Sequence, residues 1–197
     1  MPESMDKPCV RFRKVLLVLL PVLYLSGIMI GSFLTLVQPF DLQTQSVWLL
    51  SGLFRSANSG FLSVFSGFLF DFIPVSLAIA LLGMTFLGPM AIPGVVLYKG
   101  IQQGIILAVY FSDNIQTQIS HGWISYIPTA ALASMAFLLF SIQICASSIR
   151  FPLALFLQNR IEVPVKPYFR QIFVMLITFT AAAFLQATVC IWIPNLF

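Results

Sequence analysis

Long apolar runs separated by a few short polar stretches dominate this chain. The first run, about Val15 to Val37, stops before Gln38-Pro39 and is long enough for a helix to cross a bilayer, which takes about 20 apolar residues. Residues 38 to 60 are polar yet hold Trp48, Leu49, Leu50, Leu53 and Phe54, a pattern that predicts a segment lying along the membrane surface. Phe61, Val64, Phe65 and Phe68 then recur at i, i+3, i+4 and i+7, which predicts an interfacial helix leading into the next span. Further apolar runs cover about Phe70 to Leu87, Pro89 to Phe111, Trp123 to Ser147 and Gln171 to Ile193. Only Gly88-Pro89 divides the second run from the third, so these two form a tight antiparallel hairpin. A polar loop is expected over 113 to 122, and a Pro-bearing basic stretch over 148 to 170 in which Phe151, Leu153, Leu155 and Phe156 touch the interface.

Composition turns this pattern into a statement about solvent. Of the 197 residues, 59% are hydrophobic and 8% charged, against roughly 45–50% apolar and about 25% charged in a soluble domain. The runs are continuous and not alternating, so they read as helices and not as strands of an outer-membrane barrel. The expected architecture is an all-α membrane protein: a polytopic bundle of about five transmembrane helices with interfacial helices. Residues 1–14 form a basic cytoplasmic N-terminus and 15–197 a single transmembrane domain. The first run lacks a small-residue cleavage site and exceeds the apolar part of a signal peptide, so an uncleaved span is expected.

Charge supplies orientation. Lys7, Arg11, Arg13 and Lys14 cluster before the first span, and Arg150, Arg160, Lys166 and Arg170 before the last. With the N-terminus in the cytoplasm, five crossings put eight basic residues inside and one, Arg55, outside, as the positive-inside rule requires. The expected location is the cell membrane, multi-pass, with an extracytoplasmic C-terminus. These clusters abut spans and build no extended basic face, so nucleic acid is not an expected partner. The lipid bilayer is.

Polar chemistry within the spans is sparse. Gly27 and Gly31 lie four residues apart in the first span, and Gly100 and Gly104 in the third, the small-xxx-small spacing that lets helices approach closely. A homo-oligomer is compatible with the same faces. Lys99, with Tyr98, Gln102 and Gln103 beside it, forms a polar stripe expected to face the bundle interior, because an unpartnered lysine in lipid costs several kcal/mol. Asp71 is the conceivable partner. Counted from the turn at residue 88, it lies 17 residues away and Lys99 lies 11, a depth difference of roughly 9 Å that only the full lysine stem spans. Lys99 reads either as a packing and hydrogen-bonding anchor or as part of an ion or proton path; the lone carboxylate favours the anchor. Trp48, Phe54, Phe61 and Phe65 are the candidate partner surface.

No catalytic residue, cofactor or metal is indicated. Cys9, Cys145 and Cys190 fall in separate segments without metal-ligand spacing, and His121 stands alone. Serines lack a nucleophile elbow, no phosphate-binding or dinucleotide fingerprint occurs, and no inverted repeat of the transporter kind is visible.

The order of these features resembles the stage II sporulation protein M family. The resemblance rests on a basic N-terminus before Leu25-Ser26-Gly27-Ile28-Met29-Ile30-Gly31, then on the hairpin Leu81-Leu82-Gly83-Met84-Thr85-Phe86-Leu87-Gly88-Pro89 followed by Tyr98-Lys99-Gly100 and Gly104. It covers roughly residues 14 to 148. Where the family often shows a polar pair before a proline in the fourth span, sometimes with a glutamate between, this chain has His121-Gly122 before Pro128 and no acidic residue. The resemblance implies a noncatalytic membrane scaffold that helps localise extracytoplasmic cell-wall-remodelling proteins during engulfment. The alternative from the residues alone is a membrane subunit of a small-molecule or ion transporter.

Overall fold

The computed structural model describes residues 6–37, 61–112, 119–148 and 165–192, and these described residues form five helices. They are α1 (Asp6–Val37), α2 (Phe61–Gly83), α3 (Gly88–Ser112), α4 (Ile119–Ser148) and α5 (Val165–Trp192). No strand occurs among the described residues. Each helix contains an apolar stretch long enough to cross a membrane: Lys14–Thr35, Val64–Gly83, Gly88–Ala108, Ile127–Ser148 and Tyr168–Val189. The protein is thus an all-α bundle of five candidate membrane-spanning helices.

Several boundaries differ from the sequence expectation. Phe61 to Phe68 do not form a separate interfacial helix; they are the first two turns of α2, which ends at Gly83 and not near residue 87. Of the loop expected over 113 to 122, residues 119–122 are helical instead, since α4 begins at Ile119 and takes His121 into its first turn, and residues 113–118 lie outside the described residues. The segments 38–60 and 149–164, with Trp48, Phe54 and the remaining interfacial expectations, lie outside the described residues.

The exterior is apolar on every helix. Val18, Phe70, Met90, Met135 and Phe173 are each more than half exposed, far more apolar surface than a soluble monomer presents. Lipid satisfies such side chains, and between helices it removes the hydrophobic incentive to associate, leaving packing and hydrogen bonds to hold the bundle.

The closest packing joins α1 to α3, and glycine makes it so. A Cβ on Gly27 would lie 2.6 Å from the Leu97 carbonyl oxygen and 3.0 Å from the Gly100 Cα. Cβ atoms on Gly31, Gly100 and Gly104 would overlap the carbonyl oxygens of Ile101, Tyr24 and Ile28. The two glycine pairs therefore face each other, and the glycine hydrogens that replace Cβ point at opposing carbonyls, as weak Cα–H···O contacts require. Ser32 Oγ donates to the Gly104 carbonyl at 3.2 Å along the same seam.

The other three helices pack through rings and small residues. Phe72 stands between Phe68, at 5.2 Å, and Phe179 of α5, at 5.3 Å, distances at which offset aromatic pairs attract. Between α2 and α3, the turn Met84–Leu87 is closed by Met84 N–H to the Leu81 carbonyl and Gly88 N–H to the Thr85 carbonyl. Ser148 Oγ of α4 donates to the Thr85 carbonyl at 3.1 Å and pins the turn.

Two alanine substitutions separate packing from propensity. Gly100→Ala drives a methyl into the Tyr24 carbonyl and should lower stability by about 1–3 kcal/mol. Gly94 has open space where a Cβ would go, so Gly94→Ala should be neutral or stabilising by up to about 1 kcal/mol. Thermal unfolding of both variants in detergent checks the contrast; equal destabilisation would contradict the α1–α3 interface.

Candidate functional site: a buried charge cluster

The hairpin turn decides the depth of the charged groups. Because α2 stops at Gly83, Asp71 lies 12 residues before its end, and Lys99 lies 11 residues after Gly88 opens α3. The two are level to about 1.5 Å, one residue of helical rise. The 9 Å offset expected from a turn at residue 88 is therefore absent, and the side chains meet directly.

Lys99 is 0% exposed and Asp71 6%, with Nζ 2.6 Å from Asp71 Oδ1. An ammonium carries three donors, and Lys99 uses three acceptors: Asp71 Oδ1, the Asp71 carbonyl oxygen at 2.9 Å and Gln102 Oε1 at 3.1 Å. Gln102 Nε2 donates to Asp71 Oδ1 at 2.9 Å and Gln103 Nε2 to Asp71 Oδ2 at 3.0 Å. Both carboxylate oxygens are thus occupied. The Gln102 amide has one allowed orientation, since the ammonium can only donate and the carboxylate only accept. The Phe72 ring covers the cluster, its centroid 4.4 Å from Nζ, within cation–π range.

The local sequence explains why these groups converge. Lys99 and Gln103 are one helical turn apart, with Gln102 beside them, so all three reach the same neighbour. Gly100 and Gly104 lie on the adjoining face and bring α1 close behind. Tyr98 does not share the stripe; at about 100° per residue it turns outward and is 53% exposed. On α2, Pro74 lacks the N–H that would bond the Phe70 carbonyl, which loosens the turn where the Asp71 carbonyl accepts from Lys99.

Sequence reasoning missed the remaining interhelical bonds. Tyr24 OH of α1 and Ser134 Oγ of α4 are 2.7 Å apart. Thr129 Oγ1 of α4 donates to Gln186 Oε1 of α5, and Tyr168 OH of α5 to the Ala80 carbonyl of α2. Gln186, a lone amide in an apolar span, was a readable signal; its partner was not.

Among the expected partner residues, Phe61 stacks on Phe65 at 6.0 Å and meets Phe184 of α5 edge-on at 5.6 Å. Both phenylalanines are half-buried against the bundle. No group of His, Cys, Asp and Glu suited to a metal occurs among the described residues, and Cys145 is a buried free thiol. No protein-family model, curated protein or solved structure matches the chain.

Chemically, the cluster neutralises itself. Removing one partner leaves a buried unpaired charge, so Lys99→Met should cost about 3–5 kcal/mol. Replacing both with apolar residues of similar volume, as in Asp71→Leu/Lys99→Met, should recover most of that loss. Detergent denaturation of the single and double variants reads the difference; additive losses would contradict a closed ion pair.

Proposed function

We propose that this protein is a noncatalytic integral membrane scaffold of the kind implied by its resemblance to the stage II sporulation protein M family. In this reading it sits in the cell membrane with its N-terminus in the cytoplasm and its C-terminus outside. It helps assemble or localise extracytoplasmic peptidoglycan-remodelling proteins during sporulation engulfment. Homo-oligomers belong to the same proposal, since a scaffold gains reach by self-association.

The observation that supports it most is the saturation of the Asp71–Lys99 cluster. Every donor of the ammonium and both carboxylate oxygens are consumed inside the bundle, as expected of an anchor. An exchange site for ions keeps ligands available to its cargo. A bundle with an apolar exterior and a self-neutralised interior then leaves recognition to the segments outside the bilayer, of which residues 38 to 60 form the longest on the expected outer side.

The transport-subunit reading keeps one supporting observation: a Lys, an Asp and two Gln side chains meet at the interior of the bundle, where transporters place their sites. Photo-cross-linkers placed between residues 47 and 65 in engulfing cells distinguish the two. The scaffold reading predicts capture of a peptidoglycan-remodelling protein. Capture of lipid and copies of this chain alone, together with flux in vesicles that Asp71→Leu/Lys99→Met abolishes, would overturn it in favour of transport.

A further inference from the structure

We infer that the bundle consists of two bodies, the pair α1/α3 and the trio α2/α4/α5, which rock against each other with the Asp71–Lys99 cluster as the latch across their seam. The inference concerns the bundle itself and holds for a scaffold or a transport subunit alike.

The first body is locked internally. With Gly27, Gly31, Gly100 and Gly104 seated on opposing backbone, α1 cannot slide on α3 without backbone collision. The second is bound by the Phe72–Phe179 ring pair, by the Tyr168–Ala80 and Thr129–Gln186 hydrogen bonds, and by Gly83 lying against Ile144 and Tyr168. Across the seam no helix pair packs as extensively as α4 on α5 or α2 on α5. Among the described residues, the polar connections that bridge it include the Asp71 cluster, between α2 and α3, and Tyr24–Ser134, between α1 and α4. Directional bonds of this kind have discrete made and broken states, which interlocked glycine backbones lack.

Ser76 is 0% exposed and its hydroxyl has no partner among the described residues. It lies one turn from Phe72 on the stripe of α2 that covers Lys99.

The pivot follows from what is fixed. Ser148 ties the turn Met84–Leu87 to the second body, so bending falls beyond it, in the first turns of α3. Pro93 lacks the N–H for the Pro89 carbonyl, and Gly94 has no atom around its Cβ position. Both features soften a helix locally. Displacement is then largest at the far end of the bundle, where α1 ends at Val37 and α2 begins at Phe61.

Pulsed dipolar spectroscopy in lipid nanodiscs tests this on the full chain, with the three cysteines replaced by alanine. Spin labels at lipid-facing Phe33 and Leu62 report across the seam. Met29 with Tyr98, and Leu62 with Leu185, report within each body. In Asp71→Asn, the Phe33–Leu62 pair should show a second distance population, raised about twofold or more over the parent, while both internal pairs keep one distribution. Asp71→Leu/Lys99→Met, which carries no buried charge, should do the same and serves where the single variant fails to assemble. An unchanged Phe33–Leu62 distribution in the assembled variants, or equal broadening of all three pairs, would overturn the two-body account. On the unaltered protein, amide hydrogens of residues 90–97 should exchange faster than those of 100–107. Equal protection would remove the pivot.

Discussion

A charge placed among lipid chains must be neutralised by the protein that carries it, and the rest of this structure depends on how that is done. A lysine or aspartate at the centre of a membrane helix costs about 2.5–3.5 kcal/mol each on insertion scales. Here the two oppositely charged groups lie at the same depth on consecutive helices, so one short turn brings them together before any other helix is needed. Gln103 then donates to Oδ2, the oxygen the ammonium does not reach, and Gln102 adds a second donor to Oδ1. Once Lys99 faces α2, the glycine face of α3 is directed at α1, and the remaining order of the bundle follows from the helix that each face needs.

The glycine interface answers a different constraint. Between membrane helices the solvent is as apolar as the side chains, so association rests on close packing and on hydrogen bonds that water does not compete for. Four glycines allow backbone-to-backbone contact along two turns of α1 and α3. The α2–α5 pair is held differently, by the Tyr168 hydroxyl on the Ala80 carbonyl and by Phe72 against Phe179. The bundle is thus unevenly cohesive, tight in one pair and polar at the joint with the others.

Much of this was legible in the sequence because lipid imposes few solutions. Continuous apolar runs gave five helices, and the glycine spacing marked the two faces that the structure sets against each other. The depth of Asp71 is not legible, because Gly83-Met84-Thr85-Phe86-Leu87-Gly88 is mostly apolar and hides a turn inside what looks like continuing helix. Tyr98 parts from the polar residues beside it in sequence, because helical geometry sends it outward. The bonds Tyr24–Ser134 and Thr129–Gln186 join residues 110 and 57 positions apart, and no local pattern pairs a lone hydroxyl with a distant one. The role proposed for the chain rests on a resemblance alone, because a saturated charge cluster constrains the fold more than it identifies a ligand.

Lys99 and Asp71 share a hydrogen bond within the bundle. Solid-state NMR on protein in lipid bilayers, labelled at the lysine side-chain nitrogens and aspartate carboxyl carbons, measures it directly. The account predicts an ammonium nitrogen, assigned to Lys99 by its loss in Lys99→Arg, with strong dipolar coupling to one carboxylate carbon, assigned to Asp71 in the same way. A Lys99 nitrogen without such coupling, or one in rapid exchange with water, would contradict it.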